Sequence, residues 1–384
     1  MNIEQFDDIR PLNDAEVPDA IQRILQAPGI KDFMAKVLSS DEINWVLNEL
    51  PKVKTVFDFQ KKISKRVLDV LLEKNGALIE HSNLKSVDNS AGHLFISNHR
   101  DIILDSAFLD LILLVNGYDT VEIAIGNNLL IKPWIKDIVR VNRSFIVRRD
   151  VQGRELLMAS MKMAQYIRYA ICEKKTNVWI SQREGRAKDG NDRTQAAVLK
   201  MLYLGNKEVL PADNFNDLRI IPLAISYEFD PCDVLKAREL YLRDQGEEYV
   251  KTQQDDLLSM KFGFLGLRGR VHYGFASEIE KSFIPSDKDI NVVSELLASE
   301  IDKRIFAGMR LYPSHYISWD KFNNSDRFSD MYIEEDVQKF EDIIEYKINK
   351  LCPEYLGNID FRMQVYRQYA QVLENALSVR TKAE

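Results

Sequence analysis

Short runs of strand-forming residues alternate with longer helical stretches through the central part of this chain, and this alternation restricts the fold more than any other feature. β-branched and aromatic residues dominate the short runs, whereas the stretches between them place apolar residues three or four positions apart. The predicted strands are residues 93–97, 121–125, 144–147, 177–181, 219–226 and 270–275. The predicted helices between them are residues 103–115, 129–139, 152–173 and 194–204. This order predicts the α/β fold class, with a mixed sheet covered by helices.

Both ends of the chain have a helical pattern instead. Ser39 and Glu42 form the signature of a capping box that opens a helix, and Asn75-Gly76 is a helix stop. Near the other end, residues 337–351 and 361–378 are the clearest helices. We therefore predict a helical N-terminal region at 1–80, an α/β domain at 81–284 and a helical C-terminal region at 285–384.

Charge is distributed unevenly along the chain. The net charge is −7, so the protein as a whole does not attract nucleic acid. Between Arg140 and Lys200, however, fourteen lysines and arginines face only six aspartates and glutamates. A local basic field of this kind suits a ligand that bears phosphate, although a solvated helical face is the simpler alternative.

The three cysteines, Cys172, Cys232 and Cys352, stand far apart and show neither metal-binding spacing nor a disulfide framework. We therefore predict neither a cysteine metal site nor disulfide bonds, and the reducing cytoplasm as the compartment. The polar, acidic first residues do not form a signal peptide, and the apolar stretch at 102–115 is too short to span a bilayer. We expect a cytoplasmic protein with peripheral contact to the inner face of the membrane.

A candidate catalytic histidine follows the first central strand. The run at 94–97 is strongly apolar and ends in Asn98-His99, after which Asp105 lies within an apolar helix. Ligands bind at strand ends in α/β sheets, and a histidine there has the proton affinity of a general base. A carboxylate beside it would orient the ring. From residue chemistry alone, a structural histidine is the stronger interpretation of His99.

Basic side chains follow two further strands. Arg148 and Arg149 end the run at 144–147, and the loop after 177–181 contains Arg183, Gly185 and Arg186. Arginine suits phosphate because its planar fork donates two parallel hydrogen bonds. The alternative is a set of surface arginines paired with carboxylates.

In this order and at this spacing, the segments resemble the four sequence blocks of the glycerolipid acyltransferases, which include glycerol-3-phosphate and 1-acylglycerol-3-phosphate acyltransferases. Residues 82–100 resemble the approach to the family's catalytic histidine. Gly126 to Leu129 with Phe145 to Arg149 resemble the second block, whose arginine contacts acceptor phosphate. Glu184-Gly185-Arg186 resembles the third block and Ile221-Pro222-Leu223 the fourth.

Two departures from the family pattern indicate a divergent branch and leave the acceptor open. The family has four residues between its histidine and aspartate, whereas five separate His99 from Asp105. The turn into the helix can accommodate the extra residue; otherwise Asp101 is the partner, or the dyad is absent. The third block also differs, because Glu184, Gly185 and Arg186 are contiguous.

The resemblance implies an O-acyltransferase of phospholipid biosynthesis that needs no metal and no cofactor. It would move a fatty acyl group from acyl-carrier protein or acyl-CoA to a hydroxyl of glycerol 3-phosphate or a lysophospholipid. His99 would be the general base and Asp105 its partner. The implied substrate-binding residues are Gly126, Asn127, Arg148, Arg149, Arg183, Glu184, Gly185 and Arg186.

Two other functions and one surface complete the predictions. A non-catalytic protein that binds a phosphate ligand or phospholipid would use the same basic edge. A metal-dependent hydrolase would need His93 with His99, whose spacing is wrong for a helical metal pair. For membrane contact we expect residues 260–268, where aromatic residues alternate with glycines beside basic ones; the alternative is a loop folded onto the core.

Overall fold

A computed structural model of the protein describes residues 3–380 and contains one seven-stranded sheet. The strands are β1 (Leu78–Ser82), β2 (Leu94–Ser97), β3 (Val121–Gly126), β4 (Ser144–Val147), β5 (Asn177–Ser181), β6 (Ile220–Tyr227) and β7 (Arg270–Phe275). Their order across the sheet is β1-β7-β6-β2-β5-β3-β4. β6, β2, β5, β3 and β4 run parallel, and β7 pairs antiparallel with β6 while β1 runs parallel to β7. The predicted α/β class with a mixed sheet is confirmed.

Helices precede, cover and follow the sheet. Before β2 come α1 (Val17–Gln26), α2 (Ile30–Met34), α3 (Ser40–Glu49), α4 (Val56–Asp58) and α5 (Lys65–Asn75). Between β2 and β7 come α6 (Leu104–Val115), α7 (Pro133–Val141), α8 (Gly153–Arg168), α9 (Ala196–Tyr203), α10 (Pro211–Asp217), α11 (Asp233–Asp244) and α12 (Gln253–Leu265). After β7 come α13 (Ile290–Gly308), α14 (Pro313–Asn323), α15 (Glu334–Leu351) and α16 (Ile359–Arg380). Within residues 3–380, no helix has the length and apolar character that a bilayer crossing requires.

The six predicted strands are present, and the differences from the predicted elements have local causes. β1 was not predicted because it is a half-exposed strand at the sheet edge that carries Glu80 and His81. The predicted helix at 129–139 begins only at Pro133, whose fixed φ suits the first helical position. The segment at 53–74 is interrupted by a π-helical turn at Phe59–Ser64.

Both faces of the sheet are buried, as its parallel central strands require. Side chains alternate along β2, so that Leu94 and Ile96 pack into one core with α8, α9 and α13. Phe95 packs into a second core with α5 and α6. Because α13 and α16 supply buried residues to the first core, the C-terminal helices pack directly against the sheet region. The boundaries near 80 and 284 stay a prediction.

The parallel strands bring their carboxyl ends to one edge. β2 lies between β5 and β6, with Ser97 opposite Ser181 and Leu223. The residues that follow β2 to β6 therefore share this edge, where open α/β sheets bind their ligands.

Candidate active site

His99 lies two residues beyond the end of β2, on a loop that is tied to both neighbouring strands. The Asn98 side chain donates to the backbone oxygen of Ile225 and accepts from its N–H, each at 2.8 Å. On the other side, the Trp179 indole donates to the Ser97 hydroxyl at 3.0 Å. The Trp179 ring also meets the His99 ring edge to face at 5.6 Å between centroids. These contacts hold the histidine in a fixed orientation at the centre of the edge.

Asp105 is the carboxylate that contacts His99. Nδ1 of His99 lies 2.9 Å from Oδ2 of Asp105, a fully buried side chain in the first turn of α6. The same oxygen accepts from the backbone N–H groups of Arg100 at 2.6 Å and Asp101 at 3.0 Å, and Oδ1 accepts from the Tyr227 hydroxyl at 2.9 Å. Four donors therefore compensate one buried negative charge, as burial of a carboxylate requires.

The orientation of the His99 ring leaves its second nitrogen available. The side chain is 15% exposed, and Nε2 makes no hydrogen bond to another residue within 3–380. A proton on Nδ1, held by Asp105, leaves Nε2 as the basic nitrogen. This pairing gives the site the geometry of a general base supported by a carboxylate.

Asp101 has a different role. Its Oδ1 accepts from the N–H groups of Ile103 at 2.9 Å and Leu104 at 2.8 Å, so it satisfies the free donors at the start of α6. Burial and the nearby charge of Asp105 raise the pKa of Asp101. The extra residue in the His–Asp spacing is thus absorbed in the turn before α6, where Asp101 stabilises the helix start.

A buried ionic cluster that sequence reasoning missed supports this loop from below. Arg100 lies 3.2 Å from Asp230 and 3.5 Å from Asp192, and the Lys236 ammonium donates to the backbone oxygen of Arg100 at 3.0 Å. Burial opposes ionisation of Asp230, but Lys236 and Arg100 outweigh it and lower the pKa of that carboxyl. Asp192 and Lys236 lie 92 and 136 positions from Arg100 in the sequence, so no local pattern could have revealed the cluster.

A cavity of about 920 Å³ opens at the same edge, between the sheet and α8 with α9. Its apolar wall is formed by Ile146, Ile167, Ile180, Val198 and Met201. The size lies within the range of sites for small ligands and cofactors. His99 does not line this cavity, but Ser181 does, and Ser181 pairs with Ser97, two residues before His99.

Three of the predicted arginines surround this cavity, namely Arg148, Arg149 and Arg183. The side chains of Arg148 and Arg149 are nearly half exposed, and each pairs with one exposed carboxylate, Asp150 at 3.5 Å and Glu184 at 3.9 Å. Nε of Arg183 is buried without a partner among the described residues. Such guanidinium groups can donate hydrogen bonds to an anionic ligand.

Gly126 and Asn127 position this arginine pair. The Asn127 side chain accepts from the backbone N–H of Arg149 at 3.0 Å and donates to Asp150 at 2.7 Å, so it links the ends of β3 and β4. A side chain at Gly126 would come within 2.9 Å of Nε of Arg149. The glycine therefore lets that arginine lie against the strand end.

Arg186 faces a second cavity instead of the first, with a volume of about 20 Å³, which is room for about one water. Gly185, with φ of +67°, separates it from Arg183 and turns the chain. Arg186 is 92% buried, its Nη1 has no hydrogen-bond partner within 3–380, and it lines the small cavity with Lys188 and Lys236. Burial and the charge of Arg186 lower the pKa of Lys188. Glu184 is largely exposed. The predicted arginine set is thus divided between two basic cavities.

The prediction of a surface loop at 260–268 is wrong, whereas membrane contact by this segment stays a prediction. Residues up to Leu265 belong to α12, and Phe262 and Gly263 are buried. Arg268 is fully buried and donates to the backbone oxygens of Gly263 and Phe264. The glycine is needed for packing, since a side chain at Gly263 would collide with Asp101.

His93, the other histidine considered for a metal, is buried beside Asn177 and Glu278. Among residues 3–380, no cluster of three or more histidine, cysteine or acidic side chains has the arrangement of a metal site.

Comparisons with known proteins add little to the geometry. No protein-family model matches the chain, and no curated protein matches it by sequence. Its structure is similar to that of PlsC, the 1-acyl-sn-glycerophosphate (LPA) acyltransferase from Thermotoga maritima, with 11% identity and a TM-score of 0.36. The alignment covers 75% of this chain and 94% of that one. At this TM-score the likeness carries no functional conclusion.

Proposed function

We propose that the protein is an acyltransferase of glycerolipid synthesis, which moves a fatty acyl group from an acyl thioester to a hydroxyl of glycerol 3-phosphate or a lysophospholipid. The observation that carries this proposal is the pair of His99 and Asp105 at the carboxyl edge of the sheet, 2.9 Å apart. The carboxylate is buried and fully hydrogen-bonded, whereas the ring keeps a nitrogen free for a substrate. A purely structural histidine would gain more from a second hydrogen bond than from a nitrogen without a partner among residues 3–380.

In the proposed reaction, Nε2 of His99 removes the proton from the acceptor hydroxyl as its oxygen attacks the thioester carbonyl. A new C–O bond forms, and the tetrahedral intermediate then expels the thiolate as the C–S bond breaks. The protonated histidine returns its proton to the leaving sulfur, so the ring ends neutral. Asp105 stabilises the positive ring between these two steps. No metal or covalent enzyme intermediate takes part.

The large cavity is the proposed site for the acyl chain. Its apolar wall removes hydrocarbon from water, at about 0.8 kcal/mol for each buried methylene. Arg148, Arg149 and Arg183 lie around it, so a ligand with one apolar end and one anionic end fits both parts. Acyl-CoA and lysophospholipids have that form, and acyl-carrier protein presents its chain on a phosphate-bearing arm.

Arg186 is the proposed contact for the acceptor phosphate, which would enter by displacing the side chains around the present cavity of about 20 Å³. Its cavity adjoins the catalytic loop, because Lys236 lines that cavity and also donates to the backbone oxygen of Arg100. An unpartnered guanidinium nitrogen in a buried site leaves a strong donor available to phosphate. Gly126, Asn127, Glu184 and Gly185 would shape the two sites through the backbone and through contacts to the arginines.

A non-catalytic carrier of a phosphate-bearing lipid is the second candidate, since the large cavity and its arginines would suffice for binding. An assay of thiol release separates the two. Purified protein is given acyl-CoA or acyl-carrier-protein thioesters of several chain lengths, with and without glycerol 3-phosphate or lysophosphatidic acid. We expect release that depends on an acceptor and is lost in His99→Ala. Tight binding with no release from any pair would favour the carrier.

We place the protein in the cytoplasm, in peripheral contact with a membrane, because the proposed product is a lipid. The helical regions at 1–80 and 285–384 would then complete the walls of the sites around the domain at 81–284. The N-terminal segment already does so in part, since Gln5, Asp8 and Ile9 line the large cavity.

A further inference from the structure

The first two turns of α8 contain no buried residue. Every residue from Gln152 to Met158 is exposed, although α8 becomes buried further along at Ala164, Tyr166 and Ile167. This end of the helix carries three consecutive large apolar side chains. Leu156, Leu157 and Met158 are 47%, 51% and 62% exposed. Apolar groups of this size are usually buried, so a contiguous exposed set indicates a binding surface.

Helix geometry decides what kind of partner suits this surface. Successive residues are about 100° apart around a helix, so three in a row span about 200° of its circumference. One groove on a folded protein contacts a narrower stripe, made by residues three or four apart. A medium that surrounds the helix end accommodates all three side chains, and the acyl-chain boundary of a bilayer is such a medium.

Charge complementarity points the same way. Arg148 and Arg149 lie just before α8, and Arg154 is exposed in its first turn. The two strand-end arginines pair only with exposed carboxylates, at 3.5 and 3.9 Å. Glu155 adds one exposed carboxylate in the first turn of α8, and no hydrogen bond or ion pair to Arg154 is formed within residues 3–380. Guanidinium groups at this level of the helix would meet the phosphates of lipid headgroups while the apolar side chains lie deeper.

The large cavity opens beside this surface, because Leu156 and Met158 line it together with Arg148 and Arg149. We propose that the exposed N-terminal end of α8, residues 153–158, inserts into the surface of a phospholipid bilayer. Insertion there places the cavity mouth at the headgroup level, so a lipid enters or leaves without crossing water. The lipid-exchange role rests on the proposed function; the insertion itself does not.

The test is flotation of the full chain with vesicles of phosphatidylcholine, alone and mixed with phosphatidylglycerol. The variant Leu156→Ser/Leu157→Ser/Met158→Ser should lower the bound fraction at least about 10-fold, because most of the inserted apolar surface is removed. The matched control replaces three equally exposed apolar residues far along the chain, in Ile333→Ser/Leu356→Ser/Ile359→Ser. It should float as the wild type does. Thermal unfolding must show that both variants remain folded.

A second readout locates the contact directly. Leu157→Trp should be quenched by phospholipids brominated on the acyl chain, whereas Ile359→Trp should not. Equal flotation of the α8 variant and the wild type, or no quenching at Leu157→Trp, overturns the proposal. The proposal is also overturned if the wild-type protein does not bind vesicles but binds acyl-carrier protein through the same three residues, because the surface would then be a protein docking site.

This outcome is separable from that of the proposed reaction. A soluble short-chain thioester with glycerol 3-phosphate needs no vesicle, so turnover can be measured without membrane contact. If the wild-type protein catalyses turnover but does not float with vesicles, only the insertion is overturned. Absence of turnover with intact flotation and quenching overturns only the acyltransferase.

Discussion

Replacing Asp105 by asparagine removes one charge from the site while keeping its shape. The asparagine oxygen can accept the three bonds that Oδ2 accepts now, from His99 Nδ1 and from the N–H groups of Arg100 and Asp101. Its amide nitrogen then faces the Tyr227 hydroxyl, which can rotate to accept a bond. We therefore expect Asp105→Asn to fold and to retain the orientation of the ring.

What the variant loses is attraction for the positive ring formed during the reaction. Two unit charges about 4 Å apart attract by about 4 kcal/mol at the effective dielectric constant of about 20 that describes protein sites. Each 1.4 kcal/mol or so corresponds to about a tenfold change in rate, so turnover should fall about 10³-fold. The affinity for either substrate should change much less, because the charge acts only on the transition state.

The assay is a double-mutant cycle on the rate of thiol release. If Asp105 acts through the histidine, Asp105→Asn should have little further effect in a His99→Ala protein. Asp101→Asn is the matched control, since it keeps the helix-capping oxygen and should cost less than about tenfold. Equal losses from Asp105→Asn in both backgrounds, or a larger loss from Asp101→Asn, would refute the dyad.

Three further predictions test other parts of the molecule. Arg186→Ala should reduce kcat/KM for a phosphorylated acceptor by about 10- to 150-fold, because one charge-assisted contact is lost. Hydrolysis of the donor without acceptor should stay nearly unchanged. An equal loss with an unphosphorylated acceptor would show that Arg186 does not contact the phosphate. Burial raises the pKa of Asp110 to about 7, so the native state holds a proton that the unfolded chain releases above about pH 4. The contribution of Asp110 to stability in denaturant should therefore fall by up to about 4 kcal/mol between about pH 4 and 7, so the stability difference between wild type and Asp110→Asn should change by that amount over this range; a difference that does not vary with pH would refute it. Phe262→Ser should destabilise the protein by about 3 kcal/mol or more in urea, because the ring is buried. Normal stability with lost vesicle binding would instead show that residues 260–268 contact the membrane.

The sheet was predictable because its strands carry their own signal. β2 and β6 are buried at every position and so appear as continuous apolar runs. α11 and α12 were not predicted, because their buried positions do not form a regular apolar pattern. α11 buries Lys236 and Glu239 as well as Val234, so its buried face has no apolar period. Tertiary ion pairs, which no local pattern specifies, make that burial possible.

The site shows the same division. His99 and Asp105 are six residues apart, so a strand end followed by a helix start brings them together by local geometry. The Tyr227 hydroxyl that completes the carboxylate's contacts lies 122 residues away. The separation of Arg186 from Arg183 depends on the left-handed backbone of Gly185 and on the packing of α11, neither of which follows from counting charges along the loop.

The most direct test of the proposed function is mass spectrometric detection of an O-acyl ester after the protein is mixed with an acyl thioester and glycerol 3-phosphate or lysophosphatidic acid. Wild-type protein should form the ester in proportion to the thiol released. His99→Ala, folded to the same extent, should form it at least about 100-fold more slowly. Ester formed at the wild-type rate by His99→Ala, or no ester from any thioester and acceptor that the wild type binds, would contradict the account.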